Sequence, residues 1–118
     1  MPFDRWDALV PFELSDGVRL RIMSGERVMM SFVTLDPGGE VPEHSHPHEQ
    51  MGMGVEGSFE LVIDGESRVI RRGDIYLIPS NVVHSARGLD QRAVALDIFS
   101  PPREDYLVRT RPAAPDGD

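Results

Sequence analysis

At 118 residues the chain has room for one domain with one modest core. A formal net charge of -8 and a pI near 4.9 argue against nucleic acid or an anionic membrane as the main partner, because both need a basic footprint. The absence of cysteine excludes disulfides, thiolate metal ligands and cysteine nucleophiles, so any metal must be held by nitrogen and oxygen atoms.

The chain opens with MPFDRWDALV, which carries early acids and no long apolar run. It does not read as a signal peptide, and no segment reads as a membrane span, so a soluble cytoplasmic protein is the default expectation. Short strands follow. VRLRIM (Val18–Met23) alternates, and RVMMSFVTL (Arg27–Leu35) is longer and apolar on both faces. Pro37, Gly38 and Gly39 break that run into a turn. SFELVID (Ser58–Asp64), the hairpin signal DGE (Asp64–Glu66) and the return SRVIR form the next unit, and GDIYLIP and RAVALDIF complete the set. Turn signals recur roughly every ten residues, as in an all-β sandwich or barrel. REDYLV (Arg103–Val108) can form a short helical turn. One domain, residues 1–118, is expected, with its core at about 18–107 and a disordered tail at 110–118.

Histidine is used sparingly and unevenly. The chain has four, and His44, His46 and His48 fall within HSHPHEQ. Residues two apart on an extended strand share a face, so His44 and His46 can reach one ion together. Gln50 can bring a carbonyl oxygen back to the same point, and His84, in IPSNVVHSARG, can return across a sandwich. Three neutral imidazoles and one oxygen suit a divalent transition metal; nickel, zinc, iron, manganese and copper all fit such ligands. Glu43, Glu49 or backbone carbonyls can fix the imidazole tautomers. An isolated His-x-His is more often a surface accident or a satisfied polar pair. His48, following Pro47, is expected in a loop and outside the ligand set.

These segments resemble the cupin superfamily. GGEVPEHSHPHEQMGMGVEG looks like the first cupin motif, with Gly38, His44, His46 and a closing Gly57, and GDIYLIPSNVVHSARG looks like the second, with Gly73, Pro79 and His84. The resemblance implies an all-β, single-domain cupin, a double-stranded β-helix or jelly-roll barrel. It departs from the common pattern at Gln50, which replaces an acidic ligand, and at Asn81 and Gly88, which exchange the usual glycine and asparagine. Gln50 leaves the site one negative charge poorer and better disposed to an anionic ligand.

In AVALDIFSPPRED, Ala93, Ala95, Asp97 and Phe99 share one strand face, and Val94, Leu96 and Ile98 share the other. The branched stripe reads as a natural packing face. Asp97 is then either an ordinary solvated acid, or a general acid or base projecting into a cavity lined by small residues and walled by Phe99. Arg103, stiffened by Pro101 and Pro102, is either a surface charge beside Glu104 and Asp105 or a two-pronged carboxylate binder.

HSHPHEQ together with LDIFSPPREDYL resembles the KdgF family, small cupins of pectin and alginate breakdown that convert 4,5-unsaturated monouronates to linear ketonised uronates. The resemblance implies that His44, His46, Gln50 and His84 hold the metal, that Asp97 and Arg103 are catalytic, and that Phe99 and Arg103 bind the substrate, an anionic sugar acid. Met51 and Met53 stand where relatives carry other apolar or aromatic residues, and if they line the pocket the substrate differs. Two other readings remain open: another metal-dependent cupin enzyme, such as a dioxygenase or lyase, and a non-enzymatic sugar- or metal-binding cupin, which would have Asp97 and Arg103 facing solvent. A homodimer is expected. VRLRIM reads as a sheet edge that needs covering, by Phe3, Trp6, Leu9 and Phe12 of the same chain or by a partner.

Overall fold

The computed structural model describes residues 3–110. The strands are β1 (Phe12–Ser15), β2 (Val18–Ser24), β3 (Met29–Leu35), β4 (Glu40–His44), β5 (Glu49–Glu56), β6 (Ser58–Ile63), β7 (Glu66–Arg71), β8 (Ile75–Ile78), β9 (His84–Gly88) and β10 (Ala93–Ser100), followed by the helix α1 (Glu104–Thr110). They form two antiparallel sheets, one in the order β1-β2-β3-β10-β5-β8 and one in the order β4-β9-β6-β7. The expected all-β architecture holds. No helix among the described residues is long and apolar enough to cross a membrane.

Local chemistry accounts for the turns. Asp64 and Gly65 both take positive φ, 50° and 82°, between β6 and β7. Two consecutive left-handed residues make the tight hairpin loop whose twist matches the strands. Asn81 adopts φ 67° before β9, a conformation asparagine tolerates, and this explains its place where glycine is common.

The sheets close over a core built from alternate residues. Val18 and Leu20 of β2, Val33 and Leu35 of β3 and Phe99 of β10 meet Phe59 and Leu61 of β6 and Ile70 of β7. Each large apolar side chain buried this way contributes about 1.5–3 kcal/mol.

Two expectations need correction. On β10 the branched stripe is not the core face. Ala93, Ala95, Asp97 and Phe99 point inward, while Leu96 is half-buried and Ile98 is exposed on the outside. Ala95, Asp97 and Phe99 of that inward face line the cavity. Second, the helical segment is longer than a turn and runs to Thr110, the first residue of the expected tail; the rest of that tail lies outside the described residues. The edge of VRLRIM is covered within the chain, because β1 pairs along β2 and Phe12 of β1 packs against the core, so the folded unit starts before residue 18. Met51 and Met53, whose place in the pocket the sequence left open, point outward, 55% and 38% exposed, and do not line it.

Candidate functional site

Strand register brings the distant histidines together. His44, the last residue of β4, and His84, the first of β9, are direct cross-strand partners, and their ring centroids lie 4.3 Å apart. His46 sits past the end of β4, in the connection to β5, with its ring centroid 4.9 Å from that of His84. One ligand atom from each of His44, His46 and His84 falls within 4.8 Å of the others. The strand argument for His44 and His46 therefore reached the right grouping, although β4 stops before His46.

Each ring is oriented by a backbone carbonyl. The Nδ1–H groups of His44, His46 and His84 donate to the oxygens of Pro42 at 2.8 Å, His48 at 3.1 Å and Val82 at 2.9 Å. A proton on Nδ1 leaves every Nε2 lone pair free for a cation. Carbonyls, and not the exposed Glu43 and Glu49, set the tautomers. Burial, then the nearby charges of Arg103 and His84, push the His46 imidazole down to about 4. Burial also lowers His84. Near neutral pH both are therefore uncharged, as metal ligands must be.

Gln50, on β5, puts its Oε1 3.2 Å from His46 Nε2, while its amide donates to Asp97. With the His46 proton on Nδ1, two lone pairs face each other across that gap. Such a contact is stabilised by a cation between the acceptors. The donor set of three imidazole nitrogens and one amide oxygen fits a divalent transition metal.

Behind this cluster a second arrangement is built on one rung of the six-stranded sheet. Ser31, Asp97, Gly52 and Tyr76 are successive cross-strand neighbours on β3, β10, β5 and β8. A Cβ at residue 52 would overlap the Tyr76 ring. Glycine there lets the ring cross β5, and the Tyr76 hydroxyl donates to Asp97 Oδ1 at 2.6 Å. Asp97 is only 9% exposed, and burial pushes its carboxyl up to about 6, against the hydrogen bonds from Tyr76 and Gln50 and the attraction of Arg103. Burial and the adjacent Asp97 raise Tyr76 well above its ordinary value, so it stays a donor. The solvated-acid reading of Asp97 is overturned.

Arg103 is buried too. Its Nε and Nη2 donate to Asp105 at 3.2 and 2.8 Å, and its guanidinium lies 4.0 Å from the centroid of the Tyr106 ring and 5.3 Å from that of Phe99. His44, Gln50, His84, Asp97, Phe99 and Arg103 line one cavity. His48 lies outside the metal-ligand group, with Nε2 3.5 Å from Glu104.

Sequence reading missed Tyr76 and Ser31, and it placed Asp105 beside Arg103 without giving it a part in the site. Tyr76 had a signal: it and Ile78 alternate with Ile75 and Leu77 in IYLI, which places its polar tip on the inward face. Ser31, fully buried with an unpartnered hydroxyl, carried none.

Residues 31–99 match the cupin domain family. The chain belongs to the cupin family. It is 37% identical over 97 residues to the pectin degradation protein KdgF of Dickeya dadantii, covering 80% of this cupin and 88% of the relative. The solved structure of KdgF from Halomonas sp. superposes with a TM-score of 0.78 at 31% identity, over 83% of this chain and 91% of that one. An RmlC-like cupin from Shewanella frigidimarina superposes at 0.83 with 28% identity, over 90% and 96%. This small cupin resembles KdgF in length, fold and sequence.

Proposed function

We propose that this cupin converts 4,5-unsaturated monouronates, released in pectin or alginate breakdown, to linear ketonised uronates. The observation that carries the reading is a buried carboxyl and a buried guanidinium, Asp97 and Arg103, lining the same cavity as the histidine cluster. The similarity to pectin degradation protein KdgF supports it. A non-enzymatic binding protein would have no need to bury an acid whose carboxyl is pushed up to about 6, into the range where it can both give and accept a proton.

His44, His46, Gln50 and His84 would hold a divalent metal ion, which when bound supplies positive charge to polarise the oxygen atoms of the sugar acid. The reaction is an isomerisation. The anomeric hydroxyl loses a proton, the bond from C1 to the ring oxygen breaks, C4 gains a proton, and the former ring oxygen becomes a ketone. Arg103 binds the substrate carboxylate through guanidinium edges that Asp105 leaves free. Phe99 walls the cavity and stacks under Arg103. Asp97 accepts the hydroxyl proton or delivers one to C4, held in place by the Tyr76 hydroxyl.

The test follows the ultraviolet absorbance of the conjugated enol-ether acid in an unsaturated monouronate. Metal-loaded protein is expected to accelerate its loss over the spontaneous conversion. No acceleration by folded, metal-loaded protein overturns the proposal.

A further inference from the structure

The cavity beside the histidine cluster holds a polar group that the chemistry above does not use. Ser31 lines it, is fully buried, and has a hydroxyl with no hydrogen-bond partner within the protein. A hydroxyl buried without a partner carries a free-energy penalty that an alanine would avoid. Thr34 and the His48 ring also have unpartnered buried atoms, but neither residue lines this cavity.

Most of what surrounds Ser31 cannot bond to it. Met29 and Val33, both apolar and buried, flank it on the inward face of β3, and Ile22 is its cross-strand partner on β2. On the other side its partner is Asp97. Direct partners in an antiparallel pair share a face, with Cβ atoms about 4.5–5.5 Å apart. A ligand group placed between the two side chains therefore reaches both. Asp97 keeps room for it. An ionised carboxylate offers about four lone-pair sites, and Tyr76 and Gln50 take one each.

Charge decides what that ligand group is. A carboxylate there would face ionised Asp97 and be repelled; the positive partner for a carboxylate is Arg103. A ring hydroxyl is neutral and bonds in both senses, accepting a proton from Ser31 and donating its own to Asp97. We propose, on the uronate reading above, that Ser31 is a specificity-determining residue whose hydroxyl donates to a ring hydroxyl of the monouronate beside the position that Asp97 serves. The 4,5-unsaturated ring carries two such groups. The C2 hydroxyl adjoins the anomeric carbon and the C3 hydroxyl adjoins C4, the two places where the isomerisation moves a proton. A sugar acid lacking that hydroxyl leaves Ser31 desolvated and unpaired, so the site discriminates against it.

Kinetics of wild type and Ser31→Ala on the unsaturated monouronate, its 2-deoxy form and its 3-deoxy form test the proposal, together with the Tm of the metal-free proteins. Ser31→Ala is expected to lose about 3- to 10-fold in kcat/KM, mainly as a rise in KM. Its Tm is expected to stay level or rise, because an unpaired buried polar atom has gone. With wild type, one of the deoxy forms is expected to react more slowly than the parent. In Ser31→Ala that penalty shrinks by about 3- to 10-fold, the coupling of a mutation to the group it touched. Unchanged kcat/KM in Ser31→Ala overturns the proposal, as do deoxy penalties that are equal in the two proteins. A fall in Tm also overturns it, since the hydroxyl would then have been bonded within the folded chain. Wild type inert toward the unsaturated monouronate removes the uronate reading and this proposal with it, whereas active wild type matched by Ser31→Ala removes this proposal alone.

Discussion

Asp97 illustrates how a single residue's role follows from its neighbours. A carboxyl in the middle of a strand is costly when buried alone. Here the Tyr76 hydroxyl and the Gln50 amide offset part of that cost and fix its orientation. In the proposed reaction it moves a proton, and such groups contribute about 10²- to 10⁴-fold. Asp97→Asn keeps the shape and removes proton transfer. It is expected to lower kcat by about 10²- to 10⁴-fold while metal content per chain, read by elemental analysis, stays near wild type. A second residue-scale prediction concerns Gly52. Because a Cβ there would overlap the Tyr76 ring, Gly52→Ala must push the ring off β5 and away from Asp97. Overpacking of this kind costs about 1–3 kcal/mol. Thermal unfolding should show that loss and the uronate assay a reduced kcat. An alanine variant with wild-type melting and turnover would mean that the ring has another place to go.

At the scale of elements, pairing of β4 with β9 places His44 opposite His84, and a short connection swings His46 in beside them. The grouping of His44, His46 and His84 was legible in the sequence because imidazoles are scarce here and their spacing is local within each motif. What was not legible was which face of β10 turns inward. Alternation separates two faces but does not orient them, and on β10 it is the face with Ala93, Ala95, Asp97 and Phe99 that turns inward. Tyr76 escaped for a related reason: its partner lies 21 residues away, and its reach depends on a glycine on the strand between them. The orientation of β10 carries a prediction of its own. Ala95, 2% exposed, faces the cavity beside Asp97. Ala95→Leu fills space meant for substrate, so it should raise KM or abolish turnover and cost about 1–3 kcal/mol in chemical denaturation. A leucine variant with unchanged kinetics would place the substrate elsewhere.

For the molecule as a whole, the arrangement of the proposed ligands across the sheets has a thermodynamic consequence. His44 and His84 belong to the four-stranded sheet and Gln50 to the six-stranded one, with His46 in the link between them. An ion held by all four ties the two halves of the sandwich together and binds only the folded chain. Mass action then stabilises the fold by about 2.7 kcal/mol at a free metal concentration of 100 times Kd. For a domain of this size that corresponds to a rise in Tm on the order of 10 °C. Scanning calorimetry with and without a divalent transition metal should show the rise, and a chelator should reverse it. His84→Ala should abolish it, because that ring is one of the three whose ligand atoms fall within 4.8 Å of each other. His48→Ala should leave it intact, since the His48 side chain stands outside the cluster and serves His46 only through its backbone carbonyl. A metal-induced rise that survives His84→Ala would put the ion elsewhere and leave the proposed chemistry without its site.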